Sequence, residues 1–277
     1  MRNGRKPCSA DTSAYCTARD HLPEKACREL AIGVGRELHQ AAPQTWLWKA
    51  RRVIFGDGST FTMADTEANQ EEYPQPSSQK AGCGFPIMRA IVLFSLSAGS
   101  VIEAAIAPYA GKQTGENSLL RTLHATLLKG DVLVLDRYLS GWFDLALLQS
   151  RSVDAVVRKH QLRATDFRTG TRLGKDDHLV SWPKPSKPSW MDDETYNNLP
   201  DTLKLREIRV RVRQPGFRTK SLIVVTTLLD ADEYTHEDLA TVYRQRWHAE
   251  LNLRSLKIVM QMDHLRCKTP HRVRNEF

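Results

Sequence analysis

The 277-residue chain predicts an α/β domain, a mixed sheet flanked by helices, with a β-rich insertion before its last long helix. Three observations carry this. Asp131-Val-Leu-Val-Leu-Asp136 is a near-continuous apolar run of the kind found in strands buried on both faces. Residues 51–160 read as three antiparallel-type strands, then helix, strand, helix and strand, the order of a mixed sheet. From Phe167 to about Asp230 glycine and proline become frequent and apolar residues alternate with polar ones, a β texture.

The elements follow in order. Residues 1 to about 45 are polar, with a weak helical stretch over Glu24–Gln40, so residues 1–48 form a partial N-terminal helical region. Val53-Ile54-Phe55 is a short strand that Gly56-Asp57-Gly58 ends in a turn. Glu67 to Gly84 carries Pro74, Pro76 and Ser77-Ser78 and reads as a loop. Residues 88–95 and 100–107 pair across the hairpin Ser97-Ala98-Gly99-Ser100. Leu119, Leu120, Leu123 and Leu127 recur at helical spacing within Asn117–Leu128, and Gly130 stops that helix. Helix Ser140–Leu148 and strand Asp154–Arg158 come next. In Ile208-Arg-Val-Arg-Val-Arg213 the apolar side chains face one way and three arginines the other. Ser221–Leu229 is a second strand, reached through Pro215-Gly216. The last helix runs from Glu237 to about Met260, with acids in its first turn as the helix dipole prefers.

Composition narrows the class. Hydrophobic residues at 41% and charged residues at 26% are globular values and exclude wholesale disorder. No apolar run approaches the roughly 20 residues of a membrane span. The longest, Ile87 to Tyr109, is broken by Arg89, Ser95, Ser97, Gly99 and Glu103. The charged start has no apolar stretch behind it, so a soluble cytoplasmic protein with no membrane partner is expected. Cys8, Cys16, Cys27, Cys83 and Cys267 are scattered and fit no zinc spacing, so they are expected to be reduced thiols. A net charge of +8 points to an anionic partner without naming it. Between Lys204 and Lys220 lie Arg206, Arg209, Arg211, Arg213 and Arg218 against the single acid Glu207.

Asp57 and Asp136 each close a predicted strand, and carboxylates at the ends of strands in one sheet can converge on a shared cation. Strand-end aspartates also cap turns, and that reading stays open. On an ideal helix, with 100° per residue, Tyr243, Arg246, Glu250 and Lys257 share one stripe. Ala240, Trp247, Leu251 and Ile258 form an adjoining apolar stripe that would pack the helix and leave Glu250 at the border of its buried face. An ordinary amphipathic helix with an Arg246–Glu250 ion pair also fits this pattern.

Tyr243, Arg246, Glu250 and Lys257 stand at the spacing of the Y-(2)-R-(3)-E-(6)-K signature, and the chain here resembles DDE transposases of the insertion-sequence 4 group. Phe55-Gly-Asp-Gly-Ser-Thr60 resembles the family's first-aspartate motif, Leu133-Val-Leu-Asp-Arg-Tyr138 its second, and Leu265-Arg-Cys-Lys-Thr-Pro270 its tail. The resemblance implies a ribonuclease H-like catalytic domain over 49–277, with a β-rich insertion at about 165–232. It implies that Asp57, Asp136 and Glu250 bind two Mg²⁺ (or Mn²⁺) ions, which stabilise the attacking and leaving oxygens of a phosphodiester. Tyr243 and Arg246 would hold a displaced nucleotide and its phosphate, and Lys257 would contact phosphate near the cut. The implied reaction is hydrolysis and strand transfer at transposon ends. Its partner is double-stranded DNA, bound by a homodimer in the bacterial cytoplasm at the nucleoid.

The arginine face of 209, 211 and 213 suits DNA phosphates, while a solvated edge strand is the plainer reading. A tryptophan of the insertion stacks on a flipped base in related enzymes; Trp182 and Trp190 are candidates, and a buried core aromatic is the alternative for both. The chain stops at Phe277, soon after Lys257, where such transposases continue, so a truncated copy is expected. Two other functions fit the same residues: a non-catalytic DNA-binding remnant, and a ribonuclease H-like nuclease without strand transfer.

Overall fold

The computed structural model describes residues 11–80, 82–139, 141–211 and 221–277. Its strands are β1 (Val53–Met63), β2 (Ile87–Ser95), β3 (Val101–Pro108), β4 (Val132–Leu135), β5 (Asp154–Arg158), β6 (Thr171–Gly174), β7 (Asp177–Pro183), β8 (Thr202–Arg211), β9 (Ser221–Thr226) and β10 (His264–Leu265). They form one mixed sheet in the order β3-β2-β1-β4-β5-β9-β8-β7-β6, with β10 parallel to the far end of β1. β1, β2 and β3 are an antiparallel meander, β4 and β5 run parallel to β1, and β9, β8, β7 and β6 continue antiparallel beyond β5.

The helices are α1 (Ser13–Asp20), α2 (Glu24–Gln40), α3 (Glu67–Glu72), α4 (Glu116–Leu123), α5 (Trp142–Ser150), α6 (Asp193–Asn198), α7 (His236–Arg244), α8 (Trp247–Arg254) and α9 (Pro270–Glu276). The alternation of each strand divides the core in two. One face buries Ile54, Leu93, Leu133, Leu135 and Val157 beneath the leucines of α4 and α5. The other buries Val53, Phe55, Val132, Val134 and Val156 beneath Leu239, Val242 and Tyr243 of α7 and Ala249 and Leu253 of α8. Each such side chain contributes about 1.5–3 kcal/mol by leaving water. No helix among the described residues is long and apolar enough to cross a membrane. Cys16, Cys27, Cys83 and Cys267 are unpaired thiols.

Helix α2 lies against the edge strand β3. Gly35 makes this approach: a Cβ built there would stand 1.7 Å from the Val101 carbonyl oxygen. Around it Ser100 Oγ donates to the Gly35 carbonyl at 3.0 Å, and Arg36 Nε donates to the Ile102 carbonyl at 3.2 Å. The buried Glu103 carboxylate accepts from both Arg28 and Arg36. Arg274 of α9 bonds Glu24 at the start of α2, so both ends of the described chain rest on each other.

Three sequence expectations need correction. The strand at Val53 does not stop at Gly56-Asp57-Gly58 but pairs with β2 through Thr62, leaving Asp57 in mid-strand. Gly56 belongs there for space, because a Cβ would come within 2.6 Å of Leu135 Cδ2. The expected loop after Ala64 contains α3, started by Thr66, whose hydroxyl accepts from Asn69 N. The long last helix is broken. Arg246 N, His248 N and Ala249 N bond back three residues rather than four, a tight turn that separates α7 from α8. Ser255–Val259 then widens into a π-helical turn.

Candidate active site

Alternation places Asp57 with Val53 and Phe55 on the face covered by α7 and α8, and Asp136 is the first residue after β4, whose Val132 and Val134 lie on that face. The parallel register β1/β4 matches Val53 with Val132 and Phe55 with Val134. That pairing ends at Phe55 and Val134, so Asp57 lies two residues beyond it on β1 and Asp136 lies just past the end of β4. Leu135 is fully buried, so Asp136 leaves the sheet from a rigid footing. Gly58 N donates to Asp57 Oδ1 at 3.0 Å.

Glu250 comes from α8, which lies on β1 and is anchored by Ala249 and Leu253. The apolar stripe expected from an unbroken helix does not do this. Trp247 is 50% exposed and Ile258 60%, and Leu251 is also open to solvent. Three-residue hydrogen bonds wind about 20° further per residue than α-helical ones, so positions before and after the break do not share one projection. Tyr243, on α7, is buried.

Glu250 Oε1 accepts from Arg246 Nη2. Burial pushes the Asp57 carboxyl up to about 6, against the Arg246 guanidinium and the Gly58 N–H, with Glu250 and Asp136 adding to the rise. Burial likewise raises the Tyr243 hydroxyl well above the ordinary phenol range. Asp57 therefore senses both other acids from a partly dry position. Among the described residues no three His, Cys, Asp or Glu side chains gather closely enough to hold a metal ion. The donor set still suits a hard divalent cation: three carboxylates, one of them made costly to ionise by its surroundings.

Lys257 lies in the π-helical turn and reaches back to β1. Its Nζ donates to the Thr60 carbonyl at 3.0 Å and to Ser59 Oγ at 3.4 Å, and pairs with Asp263 at 3.3 Å. The arginine face is only partly free. Arg209 pairs with Asp176 at 3.3 Å and sits over the Phe167 ring, while Arg211 is exposed. Arg213 lies outside the described residues. Trp182 is buried, its indole N–H donating to Glu207 Oε1 at 3.1 Å, and Trp190 lies under the Arg121 guanidinium.

Sequence reasoning missed a basic cavity of about 390 Å³ beside this site, lined by Arg137, Arg158, Lys159, Arg163 and Arg209. Arg137 directly follows Asp136 and Arg158 closes β5, so both project from the edge of the sheet that carries the acids. The Arg158 charge acts on Tyr243. Position after a strand was the available signal, and it is visible only once the neighbouring strands are ordered.

A mixed sheet of parallel and antiparallel strands flanked by helices is consistent with the ribonuclease H-like fold of a DDE transposase domain. The profile of the family described as "Transposase DDE domain" matches residues 48–277, and the chain belongs to that family. It is similar to the transposase InsG for insertion sequence element IS4 from Escherichia coli (strain K12), with 24% identity over 282 residues. That alignment covers 100% of this chain and 60% of the relative, so the chain spans less than two thirds of the relative's length. Among solved structures, the Bacillus subtilis endonuclease V overlaps at a TM-score of 0.30 with 12% identity, covering 89% of this chain and 97% of that one. The Ciona intestinalis endonuclease V overlaps at 0.31 with 10% identity, covering 90% and 100%. Overlaps this partial carry no argument about fold or function.

Proposed function

We propose that the chain carries out metal-dependent phosphodiester hydrolysis and strand transfer at the ends of an insertion sequence. One observation supports this above the others: the paired strands β1 and β4 lead to Asp57 on the first and to Asp136 just past the end of the second, while α8, which carries Glu250, lies on β1. In this reading Asp57, Asp136 and Glu250 hold two Mg²⁺ (or Mn²⁺) ions, which supply charge stabilisation to the attacking and leaving oxygens. Residues 49–277 are the catalytic domain, with an insertion at about 165–232, and residues 1–48 are a partial N-terminal helical region.

The chain's own residues do the rest. β1 carries Asp57, and Asp136 follows directly on β4. Arg246 and Tyr243 bind the phosphate and sugar of a displaced nucleotide, Tyr243 remaining protonated and so able to donate. Lys257, Arg211, Arg213 and the cavity arginines 137, 158 and 163 take backbone phosphates of double-stranded DNA, with Arg209 contributing after release from Asp176. A homodimer on paired DNA ends, in the bacterial cytoplasm at the nucleoid, completes the reading.

A second reading, DNA binding without cutting, is favoured by the closed Arg246–Glu250 pair. Cleavage of DNA bearing the element's ends, with Mn²⁺, separates the two. The proposal expects cutting by the native chain and none by Asp136→Ala. Binding without cutting by the native chain would favour the second reading, and cutting that persists in Asp136→Ala would remove the acid from the chemistry.

A further inference from the structure

Arg246 stands in the tight turn between α7 and α8, largely buried, with its guanidinium bonded to Glu250. Its charge also acts on Asp57, Asp136 and Tyr243, while its one carboxylate contact is with Glu250. Lys257 is turned away onto Ser59, Thr60 and Asp263. A divalent ion approaching Glu250 Oε1 meets an oxygen already in use and a like charge behind it.

We infer that Arg246 is a built-in counter-ion for the acidic cluster, which divalent cations displace from Glu250 when they bind, releasing the guanidinium for a DNA phosphate. This deepens the proposed function and rests on its assignment of Asp57, Asp136 and Glu250 as metal ligands. Two consequences follow from the geometry. Part of the cluster's negative charge is offset before metal arrives, which lowers the cost of three carboxylates sharing a partly dry site. Metal and DNA also become reciprocally coupled through one side chain: metal frees Arg246 for phosphate, and phosphate holding Arg246 opens Glu250 to metal.

The test is Mn²⁺ binding to the whole chain without DNA, followed by electron paramagnetic resonance of free Mn²⁺. Arg246→Gln and Arg246→Met are compared with the native protein, Arg246→Lys and Asp57→Asn, each first checked for native-like thermal unfolding. Removing the guanidinium should tighten Mn²⁺ binding about tenfold, within the usual range of coupling between sites. Arg246→Lys, which keeps a cation, should stay near the native value, and Asp57→Asn should lose binding. Unchanged or weaker binding in both neutral variants, with Asp57→Asn still defective, overturns the inference alone. Native-like binding in Asp57→Asn instead overturns the metal assignment on which it rests. If one neutral variant does not fold, the other decides.

Discussion

Gly35→Ala sets two effects of opposite sign against each other. In an isolated helix, alanine in place of glycine gains about 1 kcal/mol from propensity. In this protein the new Cβ would stand 1.7 Å from the Val101 carbonyl oxygen, an atom of β3 backbone that cannot rotate away. Helix α2 must therefore move off β3, lengthening the Ser100 bond to the Gly35 carbonyl and the Arg36 bond to the Ile102 carbonyl. It also loosens Arg28 and Arg36 from the buried Glu103. Overpacking of this kind costs about 1–3 kcal/mol, and neutral loss of two hydrogen bonds adds about 1 kcal/mol each. The steric side wins by about 2–4 kcal/mol, which for a chain of this size lowers Tm by roughly 2–4 °C per kcal/mol. Thermal unfolding together with limited proteolysis between α2 and β1 measures it. A Tm equal to or above the native value, with no faster cleavage there, would refute the close docking of α2 on β3.

Other outcomes follow from the same structure. Burial holds the His124 imidazole down to about 4. The unfolded chain, with an ordinary histidine near 6.5, binds the extra proton first, so stability is complete above about 6.5 and falls as pH drops toward about 4. The full loss is about 3 kcal/mol, and urea unfolding at pH 7 and 4.5 should show a smaller drop for His124→Gln than for the native chain. Lys159 Nζ is buried on both oxygens of Glu207, at 2.7 and 2.6 Å. Lys159→Met should cost about 3–5 kcal/mol and the double variant with Glu207→Leu much less, because the single change strands a buried charge; a single-variant cost below about 1 kcal/mol would mean the pair is wet. Arg211→Ala should lower the slope of log binding constant against log salt by about 1. Arg209→Ala should lower it less, since that guanidinium is committed to Asp176 and Phe167, and equal effects would contradict this division.

Much of the fold was legible because its strands are strongly patterned. The apolar run ending at Asp136 is β4, Asp154–Arg158 is β5, and the hairpin after Ser95 closes β2 on β3. The run through Gly56-Asp57-Gly58 was misread because glycine and aspartate signal turns locally, whereas here β2 on one side and the crowding of Leu135 on the other hold them extended. The last helix was misread because its periodicity is continuous across residues 245–246, and the hydrogen bonds that break it leave no mark in composition. Glu250 and its neighbours were singled out by their spacing and by the signature that spacing resembles. What anchors them, Ala249 and Leu253, falls on the opposite side from the stripe that periodicity favoured. The cavity arginines come from separate strands and loops, so no local pattern joins them.

Strand β8 carries Arg206 and Glu207 side by side in sequence, and alternation sends them to opposite faces of the sheet. Arg206 closes on Asp177 and Glu207 on Lys159, both out of water. If β8 slid by a single residue, the two side chains would exchange faces, bringing Arg206 up against Lys159 and Glu207 up against Asp177, like charge on like in a dry interior. Hydrophobic alternation alone would tolerate a slide by two. The adjacent pair works as a two-pin key: it rejects the odd slips by repulsion and the even ones by leaving both pins without their sockets. The long ribbon β9-β8-β7-β6 is thereby held in one alignment with the strands that carry the aspartates.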